Sequence, residues 1–394
     1  MQFPGTVIGQ FNDSYAPVAD GCARVVEQYA RWLDETYGPT CVVAPRFPGY
    51  HGQSSFPVHR FASLPTLVRY PYRIGIPWLD PTFARRVRQI AFRLVHVHCP
   101  FAAASAARIA IDGRRIPLVA SFHTKYRDDL ERLLPRPMVD YLLRKVVDFY
   151  QSADEVWTPS KGSADTLRDY GYRGPIAVVP NGSDLYLAPG HRAAWAAEAE
   201  LELGIEPDEV VLAYVGQHVW QKNLRLLIEA MGHLQRAGVA FRLLMIGEGA
   251  SRQELEALAA REGLSKHVQF LGVVLDRERL KRLYARTALF LFPSQYDTGS
   301  LVIREAAGCG TASLLVTPSI ISEVIRDGVN GFTAPNDPAA YANRIREILG
   351  QPGLIARAGA EAQRSIYRSW RQIIEQEVMP RYDDLLRIRR RRAA

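Results

Sequence analysis

The sequence predicts an α/β protein of two Rossmann-like domains. Three observations carry that expectation. Short, near-continuous apolar runs recur along the chain, as strands buried on both faces of a parallel sheet require. Helix-length amphipathic segments lie between them, so the pattern is β then α repeated, the mark of βαβ units. The series occurs twice within 394 residues, too many for one ordinary core.

In the first half the strand-type runs are Thr6–Phe11, Thr40–Ala44, Arg93–His98, Pro117–Phe122, Glu155–Thr158 and Ile176–Val179. In the second they are Val210–Val215, Phe241–Ile246, Val268–Leu271, Ala288–Phe292 and Ser313–Val316. Ala23–Leu33, Asn223–Leu234 and Arg252–Arg261 have helical patterning. The turn-rich stretch Pro180-Asn181-Gly182-Ser183-Asp184 marks the break, and 185–208 is polar, Ala-rich and poor in strand formers. The expected domains are 1–183, 184–368 and a closing segment 369–394. Within that segment Ser369–Ile388 reads as one long helix interrupted at Pro380, crossing back to the first domain.

Composition narrows the class. Apolar residues are 47% and charged residues 23%, which excludes a disordered or fibrous chain. The formal charge of +8 favours an anionic partner without choosing among phosphate, nucleic acid and acidic lipid. Arg is spread over several segments without a nucleic-acid-binding motif, so no nucleic-acid partner is expected. The run 387–392 holds five Arg and reads equally well as a frayed, solvated terminus. Cys22, Cys41, Cys99 and Cys309 show no paired spacing, and Met1-Gln2-Phe3-Pro4 leads straight into a strand. The expectation is therefore free thiols, a cytoplasmic setting and at most peripheral membrane contact, since no apolar run reaches the roughly 18 residues a span needs.

Ligands of open α/β sheets bind beyond the carboxyl ends of the strands, so chemistry is sought there. After the first run, Gly21 opens a helix where backbone amides could meet a phosphate or sugar. A plain turn glycine is the competing reading, and no GxGxxG fingerprint is present. His96 and His98 alternate on one strand and share a face. Such a pair can begin a metal site, but no second ligand cluster accompanies it, and hydrogen-bonded core histidines are the plainer reading. His123, at the end of the next run, is better placed to meet a sugar hydroxyl or phosphate. Gly216-Gln217-His218-Val219-Trp220-Gln221-Lys222 brings a cation to what reads as a helix start, suited to phosphate, or simply to solvent.

The most specific stretch is 290–311. A strand ends at Pro293-Ser294, a loop carries Asp297, and a helix beginning near Ser300 carries Glu305, with seven residues between the two acids. The helix N-terminal amides suit a diphosphate, and the acids suit sugar and ribose hydroxyls. The plainer alternative makes Asp297 the helix cap.

These acids, followed by Glu-Ala-Ala-Gly-Cys-Gly-Thr, resemble family 4 of the retaining glycosyltransferases, which have the GT-B architecture; the resemblance implies two Rossmann-like domains facing across a cleft. Pro17–Gly21, Phe122-His123-Thr124, Asp154–Ser160, Val179–Gly182, Ile246–Gly249, Leu271-Gly272 and Asp327–Phe332 fall in the family's order over nearly the whole chain. The resemblance implies an N-terminal acceptor-binding domain and a C-terminal nucleotide-sugar-binding domain. It implies that Lys222 binds the donor diphosphate, with Gln217 where the family has Arg. Glu305 would hold the ribose and Asp297, where the family has Glu, the sugar hydroxyls. Amides of Ser300 and Leu301 would meet the diphosphate, and backbone near Gly272 the base. His123 would contact the transferred sugar, and Gly21 would leave room for acceptor or donor phosphates. Catalysis would fall to His123, Asp297 and Lys222, with neither metal nor cofactor, and the donor would be a UDP-linked hexose.

Phe122–Asp129 is also similar to bacterial glycosyltransferases acting on diacylglycerol, so a membrane lipid or envelope glycan is an expected acceptor. Segments 60–94 (Arg60, Arg69, Arg73, Arg85, Arg86, Arg88 and Arg93 among Phe61, Leu64, Leu67, Tyr70, Tyr72, Ile76, Trp78 and Phe83) and 132–149 (Arg132, Arg136, Arg144 and Lys145 among Leu133, Leu134, Leu142 and Leu143) suit an anionic membrane surface. A helix packed on the core is the alternative. Two rival functions stand beside this one: a phosphorylase or epimerase on the same fold, and a catalytically lapsed glycan- or lipid-binding protein.

Overall fold

Fifteen strands form among the described residues, which in this computed structural model are 6–18, 20–66 and 71–393. They are β1 (Val7–Phe11), β2 (Thr40–Pro45), β3 (Val58–Phe61), β4 (Ser63–Pro65), β5 (Arg73–Gly75), β6 (Phe92–Val97), β7 (Leu118–Ser121), β8 (Glu155–Thr158), β9 (Ala177–Val178), β10 (Val211–Val215), β11 (Arg242–Ile246), β12 (Val268–Gly272), β13 (Leu289–Phe292), β14 (Ser313–Thr317) and β15 (Phe332–Pro335). The chain divides into two compact units, residues 1–181 with 370–394, and residues 182–369.

The first unit holds a parallel sheet ordered β3-β2-β1-β6-β7-β8-β9. Its central strands are apolar and buried because helices cover both faces; Val42, Val43, Leu94 and Val119 are wholly inaccessible. The order turns around between β1 and β6, so the carboxyl ends of those strands flank a switch point. Residues 370–393 complete this unit. Tyr29 meets Trp370 edge to face, with ring centroids 6.1 Å apart, and Trp157 stacks on Tyr382 at 5.5 Å.

The second unit holds a parallel sheet ordered β12-β11-β10-β13-β14-β15. Renumbered from its first strand this is 3-2-1-4-5-6, the doubly wound order, with its switch point between β10 and β13. Leu212, Leu243, Leu289 and Leu314 are fully buried at its centre. Where the chain passes between units it does so twice, and the two passages lie side by side: Ser183 donates its amide to the Arg368 carbonyl at 2.9 Å.

Several expectations need correction. The strands β3 and β15 and the antiparallel hairpin β4–β5 were not expected. β3 reads Val-His-Arg-Phe and β15 ends in Pro, so neither shows an apolar run. The run at Ile176–Val179 yields only two residues of strand. The last helix is interrupted before Pro380, by a π-helical turn over Ile374–Val378, and then continues through Ala393. Proline cannot donate the amide a regular turn would use, and the wider turn absorbs the mismatch. The Arg run is therefore helical rather than frayed: Arg387 pairs with Asp384 and Arg389 with Asp154 at 2.5 Å. The side chains of Arg390 and Arg392 lie outside the described residues, as do Met1–Pro4, Ala19, Leu67, Arg69 and Tyr70.

Of the remaining residues in the two basic segments, some belong to the interior. Phe61, Phe83 and Leu143 are core. Arg60 ties together the Pro45 and Ala16 carbonyls, at 2.9 and 2.7 Å, and Arg93 sits between Tyr37 and Asp383. What stays exposed is Leu64, Ile74, Trp78 and Leu79 beside Arg85, Arg86 and Arg88, and Leu133, Met138 and Tyr141 beside Arg136, Arg144 and Lys145.

Candidate active site

In the second unit the loops after β10 and β13 meet over the switch point. Gly216 has φ of +157°, and the 3-10 turn Trp220–Lys222 follows. Lys222 thus closes a tight turn, which corrects its expected place at the start of the next helix; Asn223, left-handed at φ +58°, stands between it and the helix Leu224–Arg236. Asn223 spans the switch point, donating to the Pro293 carbonyl at 3.2 Å and to Asn336 at 2.8 Å. That fastening sets Lys222 against the loop after β13, where Nζ reaches Asp297 Oδ1 at 2.6 Å and lies 5.4 Å from the Tyr296 ring centroid. Both side chains are largely enclosed, at 13% and 17% exposure. Asp297 Oδ2 is buried and has no hydrogen-bond partner among the described residues.

Asp297 is not the helix cap. Ser300 holds that position ahead of the helix Leu301–Gly308, and its side chain makes no capping bond. The amides of the first turn keep their positive field for an incoming anion. Gln217, which stands where the family has Arg, is exposed.

Glu305, buried to 4%, belongs to a second cluster. Its Oε1 accepts from Arg277 at 2.8 Å, and the same Arg nitrogen reaches Asp184 at 2.5 Å; Tyr284 donates its hydroxyl to Oε2 at 3.4 Å. Burial disfavours the Arg277 charge, but Glu305 and Asp184 outweigh it and hold the guanidinium protonated beyond its ordinary range. Arg277 and Asp184 escaped the sequence reading. A signal existed: Arg277 is the first residue of the helix Arg277–Arg286, where the dipole repels a cation, so a paired carboxylate was called for.

Gly272 is left-handed at φ +70°, and its carbonyl already accepts from the Gly247 amide at 2.8 Å. His218 also escaped notice; it is fully buried, against Phe270 and Tyr214, with neither ring nitrogen partnered among the described residues.

In the first unit, Asp20 caps the helix Gly21–Thr36 by accepting from the Ala23 amide at 2.7 Å. A Cβ at Gly21 would meet nothing within 4 Å, so internal packing does not demand this glycine. His123 follows β7 and hydrogen-bonds to His98 at 3.0 Å through its Nε2. Burial pulls its pKa down to about 4, so the ring is neutral at pH 7. Both ring nitrogens of His96 and of His98 have protein partners: His96 meets Tyr382 and Ser121, and His98 meets His123 and Gln10. The structure thus gathers Lys222, Asp297, Ser300 and Leu301 into one pair of neighbouring loops and Glu305 into an Arg-centred cluster of the same unit. Gly21 and His123 belong to the other unit.

Two doubly wound units, each with polar side chains beyond its strands at a switch point, define a class of α/β protein that binds ligands at those points. Residues 19–186 match the family Glycosyltransferase Family 4, and residues 197–365 match Glycosyl transferases group 1. An alpha-monoglucosyldiacylglycerol synthase of Acholeplasma laidlawii is 24% identical over 373 residues, 87% of this chain and 89% of its own. A D-inositol 3-phosphate glycosyltransferase of Nocardia farcinica is 31% identical over 303 residues, 73% of this chain and 65% of its own. The crystal structure of Anabaena HepE in complex with UDP-glucose superposes with a TM-score of 0.76 at 20% identity, covering 96% of this chain and 99% of that one. The chain belongs to the family 4 glycosyltransferases and has their GT-B fold.

Proposed function

We propose that this glycosyltransferase moves a hexose, with retention at the anomeric carbon, from a UDP-sugar to the hydroxyl of a membrane lipid or envelope glycan. One observation carries the reading: Asp297 Oδ2, enclosed and unpartnered among the described residues, stands on a carboxylate whose other oxygen is held by Lys222 at a sheet switch point. A buried carboxylate oxygen left without a donor costs about 1–3 kcal/mol unless a ligand hydroxyl fills the role. The first-turn amides at Ser300 and Leu301 then face the diphosphate, Lys222 neutralises it, and Glu305, held by Arg277, accepts from the ribose.

In the proposed step the bond between the anomeric carbon and the diphosphate oxygen breaks, and the acceptor oxygen bonds to that carbon from the same face. The acceptor proton passes to the departing phosphate. Lys222 and the helix amides favour this by stabilising charge as it grows on the leaving group. His123, neutral, hydrogen-bonds the sugar. No cofactor takes part. The UDP donor is supported by the UDP-glucose held in HepE, and the lipid acceptor by the name of the Acholeplasma relative.

The exposed apolar cluster of Leu64, Ile74, Trp78 and Leu79 beside Arg85, Arg86 and Arg88 supports a lipid surface as partner. No helix among the described residues is long and apolar enough to cross a membrane. Nucleotide release should be measured with UDP-, GDP- and ADP-sugars, with and without vesicles containing diacylglycerol and an anionic lipid. Release confined to UDP-sugar plus vesicles is expected. Release that needs inorganic phosphate instead, or epimerised sugar without acceptor, would replace this reading by one of its rivals.

A further inference from the structure

In the first unit, exposed apolar side chains gather at the carboxyl end of the sheet, the end where His123 follows β7. Leu64 and Ile74 are direct partners across the β4–β5 hairpin and so share one of its faces. The hairpin follows the carboxyl end of β3 and is seated on the first turn of the helix Ala102–Ile111; a methyl added at Gly75 would press on Ala102 Cβ at 2.6 Å. Trp78 and Leu79 come next, just ahead of the helix Pro81–Gln89. Phe101 continues the rim, its ring 5.3 Å from that of Tyr126, and Leu133 and Met138 close it at the start of the helix Arg136–Gln151. All of these except Phe101 and Tyr126 are at least half exposed.

Cations stand set back from this rim. The helix Pro81–Gln89 runs from the carboxyl end towards the start of β6, and the helix Arg136–Gln151 runs likewise towards the start of β8. At about 1.5 Å per residue, Arg85 and Arg86 on the first and Arg144 and Lys145 on the second lie roughly 6–10 Å behind the apolar groups. Two crossovers in one direction, β6 to β7 and β7 to β8, put the helices Ala102–Ile111 and Arg136–Gln151 on one face of the sheet. The helix Pro81–Gln89 packs on the former, so both basic helices cover that face. Arg85, Arg86 and Arg144 have no hydrogen bond or ion pair among the described residues. The acids nearby are engaged: Asp112 with Arg88 at 3.4 Å, Asp148 with Lys145 at 3.5 Å, and Glu131 and Asp140 with Arg127 at 3.3 and 3.1 Å. Arg132 and Arg136 stand within the rim, where a long side chain can turn back to the level of the other cations. Apolar groups outermost and cations one to two turns behind match the section of an anionic bilayer, acyl chains within and phosphates above. An acidic protein or a free anion would meet the cations and leave the apolar rim in water.

We propose that the first unit enters an anionic phospholipid bilayer rim first, with Leu64, Ile74, Trp78, Leu79, Leu133 and Met138 among the upper acyl chains and Arg85, Arg86, Arg144 and Lys145 level with the phosphates. The inference rests on the reading of the acceptor as a membrane lipid, and it adds the depth and direction of docking to that reading. The carboxyl ends of β6 and β7 then face the head groups, so a lipid hydroxyl meets the strand ends while its acyl chains stay in the bilayer.

The test follows the full chain onto vesicles of phosphatidylcholine with and without phosphatidylglycerol. Trp78 is the depth gauge: bromine on the upper acyl chain should quench its emission, and that quenched component should vanish in Trp78→Phe while binding persists. Arg85→Gln combined with Arg86→Gln should weaken partition onto the anionic vesicles at least about tenfold and leave the quenching of bound protein unchanged. Binding that leaves Trp78 unquenched would mean flat docking on the basic face and overturns the inference. No binding to anionic vesicles, or equal binding to both compositions, overturns it as well. These residues lie outside the proposed donor site, so nucleotide release with detergent-dispersed diacylglycerol should be the same in the variants as in wild type. Failure of the transferase reading would show separately, as docking with quenching but no nucleotide release from any sugar donor.

Discussion

The Lys222 ammonium and the Asp297 carboxylate, 75 positions apart in the chain, meet at 2.6 Å because they follow β10 and β13, the strands on either side of the sheet's reversal. Their partnership makes the two substitutions interdependent. Lys222→Ala should lower turnover about 100-fold, in the range seen when one preorganised charge-stabilising group is lost. Asp297→Asn should add much less on the Lys222→Ala background than on wild type, since residues in contact are not additive. Steady-state nucleotide release on the four proteins of the cycle decides this; wild-type turnover in Lys222→Ala would remove Lys222 from the chemistry.

Arg277 and Glu305 separate binding from stability. Glu305→Ala should raise the donor KM at least about tenfold, the effect of one lost hydrogen-bonding partner, and change turnover little. Arg277→Ala leaves a buried carboxylate without its cation, so the loss should appear in thermal unfolding, about 1–3 kcal/mol. Calorimetry and donor titrations on both variants measure the difference. A donor KM unchanged in Glu305→Ala would contradict the ribose assignment.

Acid should weaken the fold before it touches ordinary carboxylates. Burial lowers the pKa of His123 and of His218 to about 4 and moves His96 and His98 the same way. Between the ordinary histidine value of 6.5 and about 4 the unfolded chain binds more protons, so stability falls as pH falls through that window, at most about 1.4 kcal/mol per pH unit for each ring. Asp13 opposes this: burial raises it from 3.8 to about 6, so it favours the native state as pH falls. Four rings outweigh one carboxyl, and the melting temperature should be lower at pH 5 than at pH 7. His218→Leu should flatten the slope and raise stability at pH 7, because it removes an imidazole whose two nitrogens have no partner among the described residues.

Gly308, in the Glu-Ala-Ala-Gly run, has no room for a side chain. An added methyl would collide with the Leu185 carbonyl oxygen, and Leu187 donates its amide to the Gly308 carbonyl at 2.9 Å. Gly308→Ala should cost about 1–3 kcal/mol as overpacking against backbone that cannot yield. Gly21→Ala meets open space and should leave the melting temperature unchanged while altering ligand kinetics. Thermal unfolding of the pair checks both.

The parallel sheets were legible because burial on both faces makes a strand such as Val211–Val215 apolar throughout. Edge elements were not: β3 carries His59 and Arg60, whose roles depend on neighbours distant in the chain. The acids at 297 and 305 could be found from their spacing, yet the reading assigned Glu305 no partner. Its cation, Arg277, lies 28 residues upstream in no motif. The same holds for His123: its place after a strand was readable, but the Gln10–Tyr382 link behind it joins positions 372 apart. Patterns of period two or 3.6 describe a residue's own element, and these contacts cross between elements.

The return of residues 370–393 to the first unit has a consequence for synthesis. Residues up to 181 leave the ribosome before the middle unit, but the sheet they form lacks Tyr382 against Trp157 and Trp370 against Tyr29 until residues 370–393 follow. The middle unit, though translated later, has all its own strands beforehand. A premature stop codon near position 370 would therefore damage the unit begun earlier and spare the unit of residues 182–369.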